Sequence, residues 1–127
     1  MKTKILIIED NEQNMYMLTF LLKSCGYEIL QAFSGTNGIE TAINTIPDII
    51  LLDIQLPEMD GYTVAKNIRK IEQLKFTPII AVTSYAMPGD REKVMEAGAT
   101  GYIEKPIDPE TFISQMNSFL PSELIKI

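Results

Sequence analysis

The sequence predicts an α/β fold: a five-stranded parallel sheet, doubly wound, with helices on both faces. Five short apolar runs recur every 20–30 residues, at 5–8, 27–32, 49–52, 79–82 and 101–103. Segments of helical periodicity separate them, and that spacing is the length of a βα unit. The run 49–52 (IILL) is apolar without alternation, as a strand covered on both faces must be. Among doubly wound sheets, the flavodoxin-like order 2-1-3-4-5 is the leading arrangement, with a site at the carboxyl ends of the strands.

The elements follow in order. The first strand, 5–8, leads into a helix over about 12–25 that sets Met15, Leu18, Leu21 and Leu22 on one face. Gly26 suits the left-handed stop of that helix, and the second strand covers 27–32. Ser34 begins a helix over about 35–44, and the third strand follows at 49–52. Asp60 begins a helix over about 61–71, before the fourth strand at 79–82. Asp90 begins a helix over about 90–97, closed by Gly98, and the fifth strand is 101–103. Asp108 begins the last helix, about 109–120, after which only PSELIKI remains.

With 127 residues and no linker or repeat, one domain with its own core is expected over 1–127, with its core at about 3–120 and no output domain. A formal net charge of −6 disfavours direct DNA binding, which needs clustered Lys and Arg. No apolar run reaches the roughly 18 residues of a membrane span, so a cytoplasmic protein with no membrane contact is expected. The one cysteine, Cys25, cannot form an internal disulfide and reads as a structural thiol. The absence of histidine removes every His-based triad, zinc site and proton shuttle.

What remains is carboxylates, lysine, hydroxyls and backbone, and these gather at the strand ends. The first strand ends in Glu9 and Asp10, the third in Asp53, the fourth in Thr83 and Ser84, the fifth in Glu104, Lys105 and Pro106. In the order 2-1-3-4-5 those ends are neighbours on one rim. Three carboxylates that close raise one another's pKa unless a cation joins them. Hard oxygen donors with room for water suit Mg²⁺. Carboxylate, divalent cation, lysine and hydroxyl together suit a phosphoryl group, and an aspartate can itself be the nucleophile. Asp53, on the central strand, is the candidate nucleophile; Glu9 and Asp10 would hold the metal, while Lys105 and Thr83 would meet phosphoryl oxygens. Singly, each residue has a plainer reading as a cap, a helix-end anion or a solvated lysine.

In this order the stretches ILIIEDN, DIILLDIQLPEMDG, PIIAVTSYA and AGATGYIEKP closely resemble the receiver domain of two-component response regulators, over about residues 3–120. The resemblance implies that Asp53 accepts a phosphoryl group from a phosphohistidine on a separate histidine kinase or phosphotransfer protein. It implies Mg²⁺ bound by Asp10, Asp53 and the backbone carbonyl of Gln55, with Glu9 acting mostly through water. It implies a switch in which Thr83 moves toward the phosphoryl group and Tyr102 turns inward, a cis Lys105–Pro106 peptide, and a readout face of the fourth helix, fifth strand and fifth helix for a downstream protein. EDNEQNM and YAMPGDREK look most like stand-alone receivers and the receivers of hybrid kinases, so a receiver from a hybrid histidine kinase is the alternative. Asn14 and Met15 would then edge a docking face for the phosphotransfer partner, and Gln55 and Tyr85 would flank an attacking water. Such a chain catalyses only its own phosphorylation and dephosphorylation. A phosphatase of the haloacid dehalogenase type also uses an Asp nucleophile, Mg²⁺ and Lys. It requires a second acid two residues on, where this chain has Gln55, which cannot exchange a proton as an acid does.

Overall fold

The protein is seen in a computed structural model that describes residues 2–84 and 89–125. Its five strands are β1 (Lys4–Ile8), β2 (Glu28–Ala32), β3 (Ile49–Asp53), β4 (Ile79–Thr83) and β5 (Gly101–Glu104). They form one parallel sheet in the order β2-β1-β3-β4-β5. The helices are α1 (Glu12–Ser24), α2 (Gly35–Thr45), α3 (Gly61–Arg69), α4 (Asp90–Glu96) and α5 (Phe112–Asn117). Alternation along β1 and β3 explains the unbroken apolar runs. Ile5, Ile7, Ile49 and Leu51 pack against α1 and α5 residues such as Leu18, Leu22, Phe112 and Met116. Leu6, Ile8, Ile50 and Leu52 face the opposite layer, with Ala42, Val64, Ile68 and Val94 of α2, α3 and α4. Successive side chains point to opposite faces, so a strand between two helical layers needs apolar residues at every position.

Most helix starts follow local chemistry. The Ser34 hydroxyl accepts from the Asn37 amide at 3.2 Å, and Asp60 accepts from the Thr63 amide at 2.9 Å. Three details differ from the sequence reading. Asn11 caps α1, accepting from the Asn14 amide at 2.9 Å. Asp90 is not a cap; Gly89 precedes α4, and Asp90 lies in the first turn, where its charge suits the helix dipole. Helix α5 begins at Phe112, because Asp108 first spends its carboxylate on the Glu110 amide and its carbonyl on the amides of Thr111 and Phe112.

Two short 3₁₀ turns, Glu72–Leu74 and Ser122–Leu124, went unforeseen. The second brings the last segment back to the sheet, where the buried Tyr27 hydroxyl donates to the Leu124 carbonyl at 2.9 Å. Among the described residues, no helix is long and apolar enough to cross a membrane.

Candidate functional site

The site is built at the carboxyl ends of β1, β3, β4 and β5. Past β1, the Glu9 amide donates to the Ala32 carbonyl at 3.0 Å, which holds the chain in register and turns the Glu9 side chain inward. Glu9 is 2% exposed, whereas the next residue, Asp10, is exposed. The Asn11 amide donates to Glu9 Oε2 at 3.1 Å, so the turn that caps α1 also fixes this carboxylate. Asp53 is the last residue of β3 and 3% exposed. Thr83 is the last residue of β4 and equally enclosed. The Lys105 amide donates to the Thr83 carbonyl at 2.8 Å, which ties the end of β5 to the end of β4 and carries the lysine to the rim.

Lys105 Nζ lies 3.2 Å from Glu9 Oε1 and 3.3 Å from Asp53 Oδ1. One lysine thus bridges carboxylates from two strands. Glu9, Asp10 and Asp53 each offer an oxygen within 4.8 Å of the others. With three carboxylates against one cation, the cluster keeps surplus negative charge. Glu9 shows the consequence: its pKa is pushed up to about 7, first by burial and then by the Asp53 charge and hydrogen bond. The Asn11 amide and Lys105 oppose that shift without cancelling it.

The loop leaving Asp53 is closed on itself. The Gln55 amide donates to Asp53 Oδ1 at 3.0 Å, and the Gly61 amide donates to the Ile54 carbonyl at 2.9 Å. A Cβ at Gly61 would stand 2.5 Å from Ile54 Cα and 2.8 Å from the Asp53 carbonyl, so only glycine permits this approach. The Gln55 side chain does something the sequence reading missed. Its Oε1 accepts from both the amide and the hydroxyl of Ser84, linking the loop after β3 to the end of β4. The only signal was position, since each residue lies just past a strand end.

The rim therefore gathers Glu9, Asp10, Asp53, Thr83 and Lys105, with Gln55 and Ser84 beside them. Tyr102 stands apart from it. Its ring is half-buried against the α2–α4 layer, and its hydroxyl donates to Glu104 Oε1 at 3.0 Å. Burial, followed by that bond and the Glu104 charge, raises its pKa. The Lys105–Pro106 peptide is cis. Tyr85 lies outside the described residues. Met15 is corrected: at 1% exposure it belongs to the core and cannot edge a docking face. Asn14 is half-buried and joins Met17, Ser84, Lys105, Pro106 and Ile107 around an open cleft of about 400 Å³. What such a cluster can do is bind a divalent cation through hard oxygens and present a carboxylate to an electrophile.

Comparison with known proteins agrees with this geometry. A family model described as the response regulator receiver domain matches residues 5–117. The polar-differentiation response regulator DivK of Brucella ovis is 42% identical over 120 residues, covering 94% of this chain and 98% of DivK. The chemotaxis protein CheY4 of Vibrio cholerae superposes with a TM-score of 0.90 at 31% identity, over 94% of this chain and 100% of that one. The receiver domain of sensor histidine kinase PA1611 from Pseudomonas aeruginosa, solved with a magnesium ion coordinated in its active-site cleft, gives 0.84 at 33% identity over 94% and 98%.

Proposed function

This chain belongs to the response regulator receiver family of two-component signalling, and from that premise we propose that Asp53 accepts a phosphoryl group from a partner's phosphohistidine. The observation that carries the proposal is the position of Asp53: buried at the end of the central strand, with Lys105 at 3.3 Å and two further carboxylates beside it.

An Asp53 carboxylate oxygen forms the new P–O bond as the P–N bond to the donor imidazole breaks, and the imidazole leaves on the donor protein. Lys105, already poised between Glu9 and Asp53, moves its charge onto an incoming phosphoryl oxygen. The Gln55 amide holds the other side of Asp53 and fixes the attacking geometry. Thr83 contributes a hydroxyl from the neighbouring strand end.

A divalent cation such as Mg²⁺ fits the residues present. Three carboxylate oxygens converge, one of them on an exposed side chain that leaves room for water, and these carboxylates face a single lysine. Asp10, Asp53 and the Gln55 carbonyl would hold it, with Glu9 through water; when bound, it neutralises charge gathering on the phosphoryl oxygens.

The acyl phosphate replaces a carboxylate with a larger, more negative group, which biases a two-state element involving Thr83 and Tyr102 and alters the proteins that the α4, β5 and α5 side binds. The donor is a histidine kinase or phosphotransfer protein, and the chain turns over no free substrate. A receiver inside a sensor kinase, as in the PA1611 neighbour, would use the same chemistry.

Intact-mass measurement after incubation with acetyl phosphate tests the proposal. A gain of one phosphoryl group that requires Mg²⁺ and vanishes in Asp53→Asn is expected. A gain that persists in Asp53→Asn would remove Asp53 from the role.

A further inference from the structure

The β2 side of the molecule is one of the two edges of the sheet. The Glu28 amide donates to Thr3 and the Ala32 carbonyl accepts from Glu9, so these residues turn their backbone groups toward β1. By alternation Ile29 and Gln31 turn theirs outward, where no strand lies among the described residues. Glu28 is the only charged residue of the strand, and the outward backbone groups of Ile29 and Gln31 are an open template for another strand.

The helix beside it supplies a matching surface. Gln31 Nε2 donates to Thr19 Oγ1 at 3.0 Å, which locates the flank of α1 next to the open edge. Along that flank, at helical spacing, stand Glu12, Tyr16, Thr19 and Lys23. Tyr16 is 74% exposed, and Phe20, 63% exposed, borders the same stripe. These are large aromatic groups with little cover from the described residues.

We infer that this face takes a second copy of the chain, the two β2 edges pairing antiparallel about a two-fold axis through Gln31. The pattern on α1 selects that partner. The axis that sets Tyr16 against Thr19 of the second copy also sets Glu12 against its Lys23, and Lys23 against its Glu12. Opposite charges thus meet at both ends of the stripe. The same axis passes the helix about 2 Å from the level of Thr19, and therefore meets the strand at Gln31, its bonded neighbour.

Gln31 would exchange both backbone hydrogen bonds with its counterpart, and its outward groups have the right parity for that. Distances agree as well. α1 packs across both β1 and β2. Strands about 4.8 Å apart then bring the two α1 axes to roughly 10 Å, the normal spacing of packed helices. Antiparallel pairing points the two Asp53 rims to opposite ends of the dimer, so both stay open. The inference does not depend on the phosphoryl chemistry.

Sedimentation velocity over a concentration series tests it, on the full chain with circular dichroism to confirm folding. The wild type is expected to dimerise at about 10–100 μM. Lys23→Glu and Glu12→Lys should each weaken the dimer by roughly tenfold, since each turns two attractive pairs into repulsive ones. The double variant should return to within about threefold of wild type. Gln31→Pro removes an outward amide without touching the β1 ladder and should abolish dimerisation. A wild type that stays monomeric to about 1 mM, or a double variant no tighter than the singles, overturns the inference.

Discussion

The two ends of the same sheet each hold a half-buried cation, and they treat it in opposite ways. At the amino end, Arg69 meets no carboxylate among the described residues. Its Nε donates to the Gly98 carbonyl at 2.9 Å, its Nη1 to the carbonyls of Leu74 and Thr77 at 2.8 and 2.6 Å, and its Nη2 to Thr100 Oγ1 at 3.3 Å. Burial lowers its pKa, yet every one of those acceptors is a neutral dipole already fixed by the fold. At the carboxyl end, Lys105 faces two buried carboxylates and a third close by. The first cation is satisfied and joins α3, β4 and β5. The second is outnumbered, and its neighbours still need positive charge. Surplus charge held rigidly is what marks a site; a satisfied cation marks a staple.

Exchanging each cation for alanine gives the strongest test of that contrast. Lys105→Ala should slow phosphoryl uptake from acetyl phosphate by about 10²–10³-fold, and it should also cost stability, because Glu9 and Asp53 lose the cation between them. Arg69→Ala should keep uptake within about threefold while losing about 3 kcal/mol in urea melts, because the part-buried carbonyls of Gly98 and Thr77 lose this donor. Equal effects of the two variants on uptake would erase the distinction.

Surplus charge also predicts a pH signature at one end alone. Glu9 holds its proton up to about 7 in the folded chain, against an ordinary 4.5. Between those values the native state binds more protons than the unfolded state, so stability falls as pH rises and the full cost is reached above 7. Glu9→Gln should therefore add about 2 kcal/mol at pH 8 and almost nothing at pH 4, read from urea melts at both. Added Mg²⁺ should stabilise the wild type at pH 8 by about 1.4 kcal/mol at ten times its dissociation constant, seen as a higher melting temperature, and should do so far less in Asp10→Asn.

The smallest contrast concerns two glycines. At Gly61 an added methyl meets the backbone of Ile54 and Asp53, which cannot yield, so Gly61→Ala should cost about 2–3 kcal/mol. At Gly98 the φ of +115° is strained for alanine, but the nearest obstacle is the flexible Arg69 Cγ at 2.7 Å. Gly98→Ala should cost about 1–2 kcal/mol. Thermal melts compare the pair.

Much of this was legible beforehand. Strand count follows from apolar runs of strand length, because a strand buried on both faces has no other composition open to it, and the order 2-1-3-4-5 was the leading arrangement for five such units. The rim followed too, since Glu9, Asp10, Asp53, Thr83 and Lys105 all sit at or just past strand ends, and topology brings those ends together. Met15 was misread where the family resemblance set it at the edge of a docking face; helical spacing had already placed it with Leu18 and Leu22, and α1 buries all three. The start of α5 was placed early because Asp108 satisfies a turn before it can cap a helix.

By itself, the sequence determined the strands, the caps at Ser34 and Asp60, and which residue types reach the rim, since these depend on local pattern and chain order. Only the tertiary structure decided how those residues share charge. That Lys105 bridges Glu9 and Asp53, that Gln55 reaches Ser84, and that Arg69 finds carbonyls from three segments are contacts between residues 29 to 96 apart or closed across a turn. No local pattern encodes such contacts, because the distance between two side chains is set by the packing of everything that lies between them.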